Sequence, residues 1–239
     1  MRWNTIADCL ESYLSNWSIM LGVCEEHRDV IDDEIKKKVT NLTLKRSVED
    51  YSKRMKPIAV ALDKAQQSQC KISDAVDIWK DLCDALRQSQ SRDVIEKVIN
   101  RMNEALTPHH YLANMIDPRY LGSKLSAADI RSAMILLSDE YPPSCKATVI
   151  NLRARSKPFE EYMFDSNLIQ QVSPLAWWRS QNFDENVINL TNQLLTAVSS
   201  NADTERIFST FGLVQSKLRN RLGNAKASKL VFIYKLLNS

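Results

Sequence analysis

A regular series of apolar residues constrains this chain more than any other feature of its sequence. From Leu44 to Ala65 the apolar residues follow alternating steps of four and three, and after the polar Gln69 the same phase resumes from Ile72 to Leu86. That spacing places side chains along one face of an α-helix. The chain of 239 residues contains only four glycines and seven prolines that could interrupt helices. The sequence therefore predicts a fold that is mainly all-α.

Two interpretations of this heptad segment, residues 44–86, stand side by side. A sustained heptad spacing is typical of a coiled coil, so one hypothesis is a helical coiled-coil scaffold with no relation to DNA. The other is a set of packed helices within an α-domain. It is supported by Pro57, which would kink or start a helix, and by Ser73, which is placed to cap a new one. We favour the packed helices.

Further helices are predicted on both sides of the heptad segment from the same kind of apolar spacing. They span residues 4–25, 94–106 and 125–137. Thr107-Pro108 would end the second of these helices. Ser126 would cap the third, with Asp129 three residues further on to complete the capping box.

The composition excludes several classes of protein. With 44% hydrophobic and 26% charged residues, the chain resembles an ordinary globular protein. It has neither a transmembrane-length apolar run nor the apolar start of a secretory signal, so we expect an intracellular chain with no membrane partner. The five cysteines contain no C-x-x-C pair and the three histidines no ligand spacing, so we expect packed reduced thiols and no metal site. Nucleotide-binding and hydrolase motifs are absent, and no small-molecule substrate is expected.

Positive charge is concentrated at the end of the chain. Residues 201–239 hold seven Lys/Arg residues against Asp203 and Glu205, a local net charge of +5, whereas the whole chain carries +3. A basic segment on a neutral body indicates contact with a polyanion. Because no base-reading motif accompanies it, we expect any DNA binding to be weak, sequence-independent and sensitive to salt.

Four groups of residues, in order along the chain, resemble sequence boxes of the hAT superfamily of DNA transposases. They are Arg2-Trp3-Asn4, Met115-Ile116-Asp117-Pro118-Arg119-Tyr120, Pro174-Leu175-Ala176-Trp177-Trp178, and a C-terminal signature that combines Glu205-Arg206-Ile207-Phe208-Ser209 with Lys217-Leu218-Arg219-Asn220-Arg221-Leu222. Each short motif alone is a weak signal. Together they make the chain resemble the C-terminal part of a hAT transposase, comprising the helical insertion region and the hAT C-terminal dimerisation region.

The resemblance implies an architecture. We expect a helical insertion domain over residues 1–145 and a hAT C-terminal dimerisation region over residues 170–239, which would supply the C-terminal helices of a split ribonuclease-H-like fold. Between them, residues 146–169 are predicted as a linker or mobile loop. The prolines of residues 141–158 support a break there.

The resemblance also bears on catalysis. In the family, two Asp and one Glu hold a pair of divalent metal ions such as Mg²⁺, which activate water for DNA cleavage. Glu205 matches the Glu, whereas both Asp belong to sequence upstream of the Arg-Trp motif. We therefore expect Glu205 to be vestigial, with no enzyme activity and no cofactor for this chain as it stands. The alternative is that the chain is the C-terminal portion of an active transposase whose two Asp lie upstream.

Two apolar stripes near the C-terminus indicate self-association. One contains Phe208, Phe211 and Leu218, and the second contains Leu230, Ile233, Tyr234 and Leu237, with Gly223-Asn224 as the turn between their helices. Two short helices leave apolar surface uncovered, and a homodimer or higher homo-oligomer would cover it. The predicted function is thus a dimerisation module of a transposase-derived or truncated hAT transposase.

The resemblance finally suggests contacts with DNA and a nuclear location. The candidate DNA-binding residues are Arg2, Trp3, Lys217, Arg219 and Arg221. Trp3 matches a family residue that stacks on a displaced base, although it would equally pack on the first helix. Trp177 and Trp178 are predicted to be core residues instead, because large aromatic side chains at helical spacing are more often buried. Residual non-specific DNA binding therefore accompanies the dimerisation hypothesis.

Overall fold

A computed structural model describes residues 5–88, 92–200, 205 and 224–237. In this part of the chain the secondary structure is helical and no β-sheet forms, so the all-α prediction is confirmed. The ribonuclease-H-like part of that prediction stays a prediction. None of the helices described combines the length and hydropathy needed to span a membrane.

The helices follow one another with short connections. In chain order they are α1 (Thr5–Glu26), α2 (Asp33–Thr40), α3 (Leu42–Ala65), α4 (Ile72–Gln88), α5 (Arg92–Ala105), α6 (Pro108–Ile116), α7 (Ala127–Glu140), α8 (Pro143–Arg153), a 3-10 helix (Glu161–Phe164), α9 (Ser166–Gln171), α10 (Pro174–Arg179), α11 (Glu185–Thr196) and α12 (Asn224–Leu237).

The first three helices form an N-terminal arm, residues 5–65. Helix α1 packs along α3, and the Nζ of Lys45 lies 4.2 Å from the ring centroid of Trp17. The Trp17 indole N–H also donates to the carbonyl oxygen of Val39 at 3.0 Å. Among the arm's side chains only Cys24 and Val39 are buried. The arm is thus a thin helical layer without a deep core of its own.

The main core lies in residues 72–195 and is built around α6. All six residues from Tyr111 to Ile116 are buried, because α6 is surrounded by α4, α7, α8 and α11. Core residues come from both sides of the predicted boundary at residue 145, from Ile72 on α4 to Leu195 on α11. The predicted division into an insertion domain and a dimerisation region stays a prediction. The hydrophobic core itself continues across residue 145.

The heptad segment forms two helices that pack against each other within the chain, α3 and α4, in agreement with the packed-helix interpretation. Helix α3 continues through Pro57, so of the two effects predicted for this proline, a kink or a helix start, the start does not occur. The cap predicted at Ser73 is wrong. Ser73 is fully buried one residue inside α4 and does not cap it. The backbone N–H of Lys71 instead donates to the Asp74 carboxylate at 2.7 Å.

Residues 146–153 of the linker predicted over 146–169 belong to helix α8, Pro143–Arg153. Cys145, Val149 and Leu152 are buried in the main core. The physical reason is the position of Pro143 at the first turn of the helix, where the missing N–H of a proline has no intrahelical partner to lose. The prolines of this stretch therefore start a helix as well as interrupt the preceding one.

Three helices and one capping box predicted from local spacing agree with the structure. Helices α1, α5 and α7 lie where they were expected, and Ser126 and Asp129 form the predicted capping box of α7. The sequence interpretation ended a helix at Thr107-Pro108 but did not predict that the same residues begin α6, with Thr107 at its N-cap. Asn224 belongs to the first turn of α12 and not to the turn predicted before it.

Candidate functional site

The Asp-Pro-Arg-Tyr motif lies in the loop after α6, where it forms an ionic cluster with α4. The Asp117 side chain is fully buried. Its Oδ1 accepts from the Nε of Arg119 at 3.0 Å, and its Oδ2 accepts from Nη2 at 2.6 Å. The same Nη2 lies 2.7 Å from Asp74 on α4, and the Tyr120 hydroxyl donates to Asp74 at 2.7 Å. The motif therefore clamps the loop onto α4.

Buried polar residues complete this clamp. The Ser73 hydroxyl donates to Asp117 at 2.9 Å, and the amide of Asn114 donates to the backbone carbonyl of Ser73 and to Asp77, both at 2.9 Å. Asp77 in turn forms a salt bridge of 2.8 Å with Lys124. The sequence interpretation missed these partners. The available signal was the placement of Asp74, Asp77 and Asp81 on one face of α4.

The charges of the clamp reinforce one another. Burial by itself lowers the pKa of the Arg119 guanidinium, but its bonds to Asp117 and the charges of Asp117 and Asp74 outweigh burial and raise the pKa above its usual value. Burial, together with the hydrogen bond to Asp74, also raises the pKa of the Tyr120 hydroxyl. Arg119 thus remains charged and Tyr120 remains a hydrogen-bond donor over the physiological pH range.

An aromatic cluster lies beside the clamp and supports the C-terminal part of the chain. Trp177 and Trp178 are 3% and 1% exposed, which confirms the predicted core role. The ring of Phe159 lies 5.9 Å from that of Trp177 and 5.8 Å from that of Trp178, and Phe183 lies 5.3 Å from Trp178. The Trp178 indole donates to the backbone carbonyl of Ile116 at 2.9 Å, which fixes α10 to the end of α6.

The segment after α11 is attached to the junction between the arm and the core. The backbone N–H of Ile72 donates to Ala197 at 3.0 Å, and that of Ser199 donates to Cys70 at 3.1 Å. The Ser199 hydroxyl also lies 3.4 Å from the backbone carbonyl of Ala65 at the end of α3. The chain that leads toward Glu205 is therefore anchored where α3 gives way to α4.

Helix α12 presents apolar side chains to the solvent. Leu230, Phe232 and Ile233 are 42%, 64% and 50% exposed, whereas Val231 is 7% exposed. Phe232 and Ile233 line a shallow depression of about 360 Å³ together with Ser228 and Lys229. Leu230 and Ile233 belong to the predicted dimerisation stripe, and Phe232 was missed because it lies off the spacing of that stripe. For Tyr234 and Leu237 the structure describes the helical backbone and not the side chains.

Of the remaining predicted site residues, the structure describes Glu205. Glu205 is helical and exposed. Among the described residues, no group of three or more His, Cys, Asp or Glu side chains is placed to hold a metal ion. The predictions that lie outside the described residues concern Arg2, Trp3, Phe208, Phe211, Lys217, Leu218, Arg219 and Arg221.

Comparison with known protein families assigns the C-terminal third of the chain. Residues 158–237 match the hAT family C-terminal dimerisation region. The match includes the aromatic cluster, the anchored segment and α12, and it is consistent with the C-terminal part of a hAT transposase, as the sequence motifs predicted. No curated protein and no solved structure matches the chain.

Proposed function

We propose that this chain, which carries a hAT family C-terminal dimerisation region, forms a homodimer through α12 and the helix predicted before it. The observation that carries the proposal is the exposure of Leu230 and Ile233 one turn apart on α12, with the exposed Phe232 beside Ile233 in the same shallow depression. Isolated exposed apolar residues are common on protein surfaces, but contiguous ones mark interaction sites. A second copy of the same helix would cover them.

The rest of the region is suited to presenting this helix. Trp177 and Trp178 lie in the main core, and the backbone of residues 197–199 is hydrogen-bonded to the α3–α4 junction. These contacts attach the part of the C-terminal region that precedes residue 200 to the main core. A base that is already folded loses little conformational freedom when two copies associate, which favours affinity.

Burial of the α12 side chains between two copies would favour a dimer. Each large aliphatic or aromatic side chain contributes about 1.5–3 kcal/mol when it is removed from water. In a two-fold dimer every such residue is buried twice, once in each copy. Lys226 and Lys229 are exposed on the same helix, and their like charges would be kept apart at the edge of the interface, where water screens them.

The test is the double substitution Leu230→Asp and Ile233→Asp in the full chain. We expect it to remove at least about 3 kcal/mol of association free energy, which raises the dimer dissociation constant about 100-fold. Sedimentation equilibrium should show a dimer for the unmodified chain and a monomer of unchanged helix content for the variant.

The matched control is Leu44→Asp with Ile35→Asp, because these arm residues are 37% and 53% exposed, close to the values of the C-terminal pair. We expect the control to leave the dimer intact. Dissociation by the control pair and not by the C-terminal pair would favour the alternative function, a helical scaffold that associates through its arm. A monomeric unmodified chain would rule out both.

We also propose weak, non-specific DNA binding and a nuclear location for this dimer. The supporting observation is the local net charge of +5 in residues 201–239. The candidate contacts are Lys217, Arg219 and Arg221 within that segment and Arg2 and Trp3 near the start of the sequence. Binding that depends on phosphate contacts weakens steeply with salt. Affinity for random duplexes should therefore fall strongly between low and physiological salt. Tight sequence-selective binding at physiological salt would contradict this proposal.

For catalysis, we propose that the chain by itself does not cleave DNA. Two-metal cleavage needs several carboxylates around the metal pair, and Glu205 is the one residue that matches the family's set. Incubation of the purified chain with DNA and Mg²⁺ or Mn²⁺ should give no nicking. Metal-dependent nicking that disappears in Glu205→Gln would show the opposite and would favour the hypothesis of an active transposase.

A further inference from the structure

A short link, residues 66–71, joins the N-terminal arm to the main core between α3 and α4. The link folds into turns of its own: the backbone N–H of Gln67 donates to Lys64 at 3.3 Å, and that of Cys70 donates to Gln67 at 3.0 Å. Helix α3 packs on α4, but α3 has no buried residue and a space of about 290 Å³ stays open between the two helices. This shallow packing by itself constrains the direction of the arm only weakly.

Residues 197–200, which follow α11, supply a second contact at the arm side of the link. The hydroxyl groups of Ser199 and Ser200 both donate to the carbonyl oxygen of Ala65, at 3.4 and 3.2 Å. Ala65 is the last residue of α3, and the last carbonyls of a helix have no partner within the helix. The two serines therefore cap α3 from outside the arm.

The same segment is bonded to the core side of the link. The backbone N–H of Ile72 at the start of α4 donates to the carbonyl oxygen of Ala197 at 3.0 Å, and that of Ser199 donates to Cys70 at 3.1 Å. The Ser199 hydroxyl also lies 3.3 Å from the Cys70 carbonyl oxygen. Residues 197–200 thus lie across the link and bond to the end of α3 and to the start of α4.

The two ends of this segment differ in how they are held. Ala197 packs against the main core, whereas Val198 is 56% exposed. The contact with α3 consists of the serine hydroxyl bonds and buries no large apolar side chain. Contacts that bury little apolar surface open locally at a low free energy. The bonds to the arm therefore open more readily than the packing of the core.

We propose that residues 197–200 form a clasp that sets the direction of the arm relative to the main core, and that opening of the clasp lets the arm change direction about residues 66–71. The clasp lies within the match to the hAT family C-terminal dimerisation region, residues 158–237. The C-terminal region thereby positions the N-terminal arm. These contacts form within one copy of the chain, so the proposal does not depend on the dimer.

The test measures the distance between the arm and the core in the full chain. Cys9 on α1 is exposed and the other four cysteines are buried, so a spin label can be attached to Cys9 and to a second cysteine introduced by Asp139→Cys, at an exposed position of α7. An excess of unlabelled chain suppresses distances between copies. We expect a single narrow distance distribution in pulsed electron paramagnetic resonance.

Two variants open the clasp to different degrees. Ser199→Ala with Ser200→Ala removes the hydroxyl bonds and keeps the backbone bonds, and it should broaden the distribution. Ser199→Pro also removes the N–H that donates to Cys70, and it should widen the distribution at least about twofold. The matched control is Thr196→Ala, because the Thr196 hydroxyl donates within α11, to Asn192 at 2.7 Å. It should leave the width unchanged.

Hydrogen exchange of α6 in each variant reports whether the core stays folded. We expect no change there, while exchange at the end of α3 becomes faster when the clasp is opened. The double alanine variant decides the matter if the proline also loosens α6, because it leaves the backbone intact.

Three results would overturn the proposal. A distribution that stays narrow in the double alanine variant and in the proline variant would show that packing of α3 on α4 fixes the arm without the clasp. A broad distribution in the chain with an intact clasp would show that the clasp does not hold the arm. Equal broadening by Thr196→Ala would assign the effect to α11. None of these results bears on the α12 interface, which sedimentation tests separately.

Discussion

Helices α3 and α4 share one continuous heptad spacing in the sequence but differ in how deeply the structure buries them. Helix α3 has no buried residue, whereas α4 buries eight. Helix α3 contacts α4 and the other two helices of the thin arm, while α4 also packs against α5, α6 and α11 in the main core. Periodicity therefore specifies which face of a helix is apolar. The depth to which that face is buried depends on how many other elements surround it.

The same contrast separates the arm from the core as structural units. Large aliphatic side chains at the far end of the arm remain exposed, among them Ile19, Val30 and Leu42. Segments with few buried contacts open locally at a lower free energy than core segments do. We therefore expect the arm to be the less protected part of the molecule, and the following predictions test that difference.

The largest effect is expected for Trp178→Ala in the core. Trp178 is 1% exposed and its indole donates to Ile116, so the substitution creates a cavity and leaves a buried carbonyl without its partner. The expected loss is about 3–5 kcal/mol of unfolding free energy. The matched change in the arm is Tyr51→Ala, at a side chain that is 64% exposed, with an expected loss of about 0.5 kcal/mol. Urea denaturation measures both, and similar losses would contradict the contrast.

A smaller loss is expected when the clamp is broken by Asp117→Asn. This substitution keeps the shape of the side chain and removes the charge that pairs with Arg119 inside the protein. Loss of one partner of a buried pair costs about 3–5 kcal/mol, and because Asp74 still contacts Arg119 we expect a value of about 3 kcal/mol in urea denaturation. The comparison in the arm is the exposed salt bridge between Glu11 and Lys56. There, Glu11→Gln should lower the free energy of unfolding by less than about 1 kcal/mol.

The direct comparison of the two heptad helices uses one valine from each. Val76 on α4 is fully buried, and Val48 on α3 is half-buried at an equivalent position of the spacing. Val76→Ala should lower the free energy of unfolding by about 2 kcal/mol, and Val48→Ala by about 0.5–1 kcal/mol. The loss at Val48 is smaller because less apolar surface is buried there and solvent can fill the space. Equal values in thermal or urea unfolding would show that α3 is buried more deeply in solution, for example by association through the arm.

The smallest effect is a pH dependence at the start of α6. Burial lowers the pKa of His110, and the neighbouring His109 lowers it further. The unfolded chain then takes up a proton more readily than the folded one, so stability falls as the pH drops through the ordinary histidine value of about 6.5 toward the lower folded value. Protonation also removes the ring nitrogen that accepts from the Thr107 backbone at 3.2 Å.

Hydrogen exchange of α6 measured at several pH values would detect this loss of protection. His110→Gln should flatten the pH dependence of α6 and leave exchange in α3 unchanged. A pH profile of α6 that persists in the variant would assign the effect to other groups.

Local sequence signals predicted helices such as α1 and α7 because the interactions that form them are local. Ser126 and Asp129 cap α7 within one turn, and the apolar spacing of residues 4–25 defines α1. The errors arose where one local signal had two meanings. Pro143 indicates a break in a helical sequence, but a proline also suits the first turn of a helix. Ser73 has the residue type of a cap, but a serine one residue further into the helix can bond to a distant partner.

The sequence by itself determined the all-α class, the apolar faces of the helices and the motifs that relate the C-terminal region to the hAT family. Only the tertiary structure decided which faces lie deep and which polar residues meet. Ser73 reaches Asp117 across 44 residues of sequence, and Trp178 reaches Ile116 across 62. Such contacts depend on how α4, α6 and α10 pack together, and the periodicity within a single helix does not encode that arrangement. Burial and ion pairing require groups that only the folded chain brings within a few ångströms of one another.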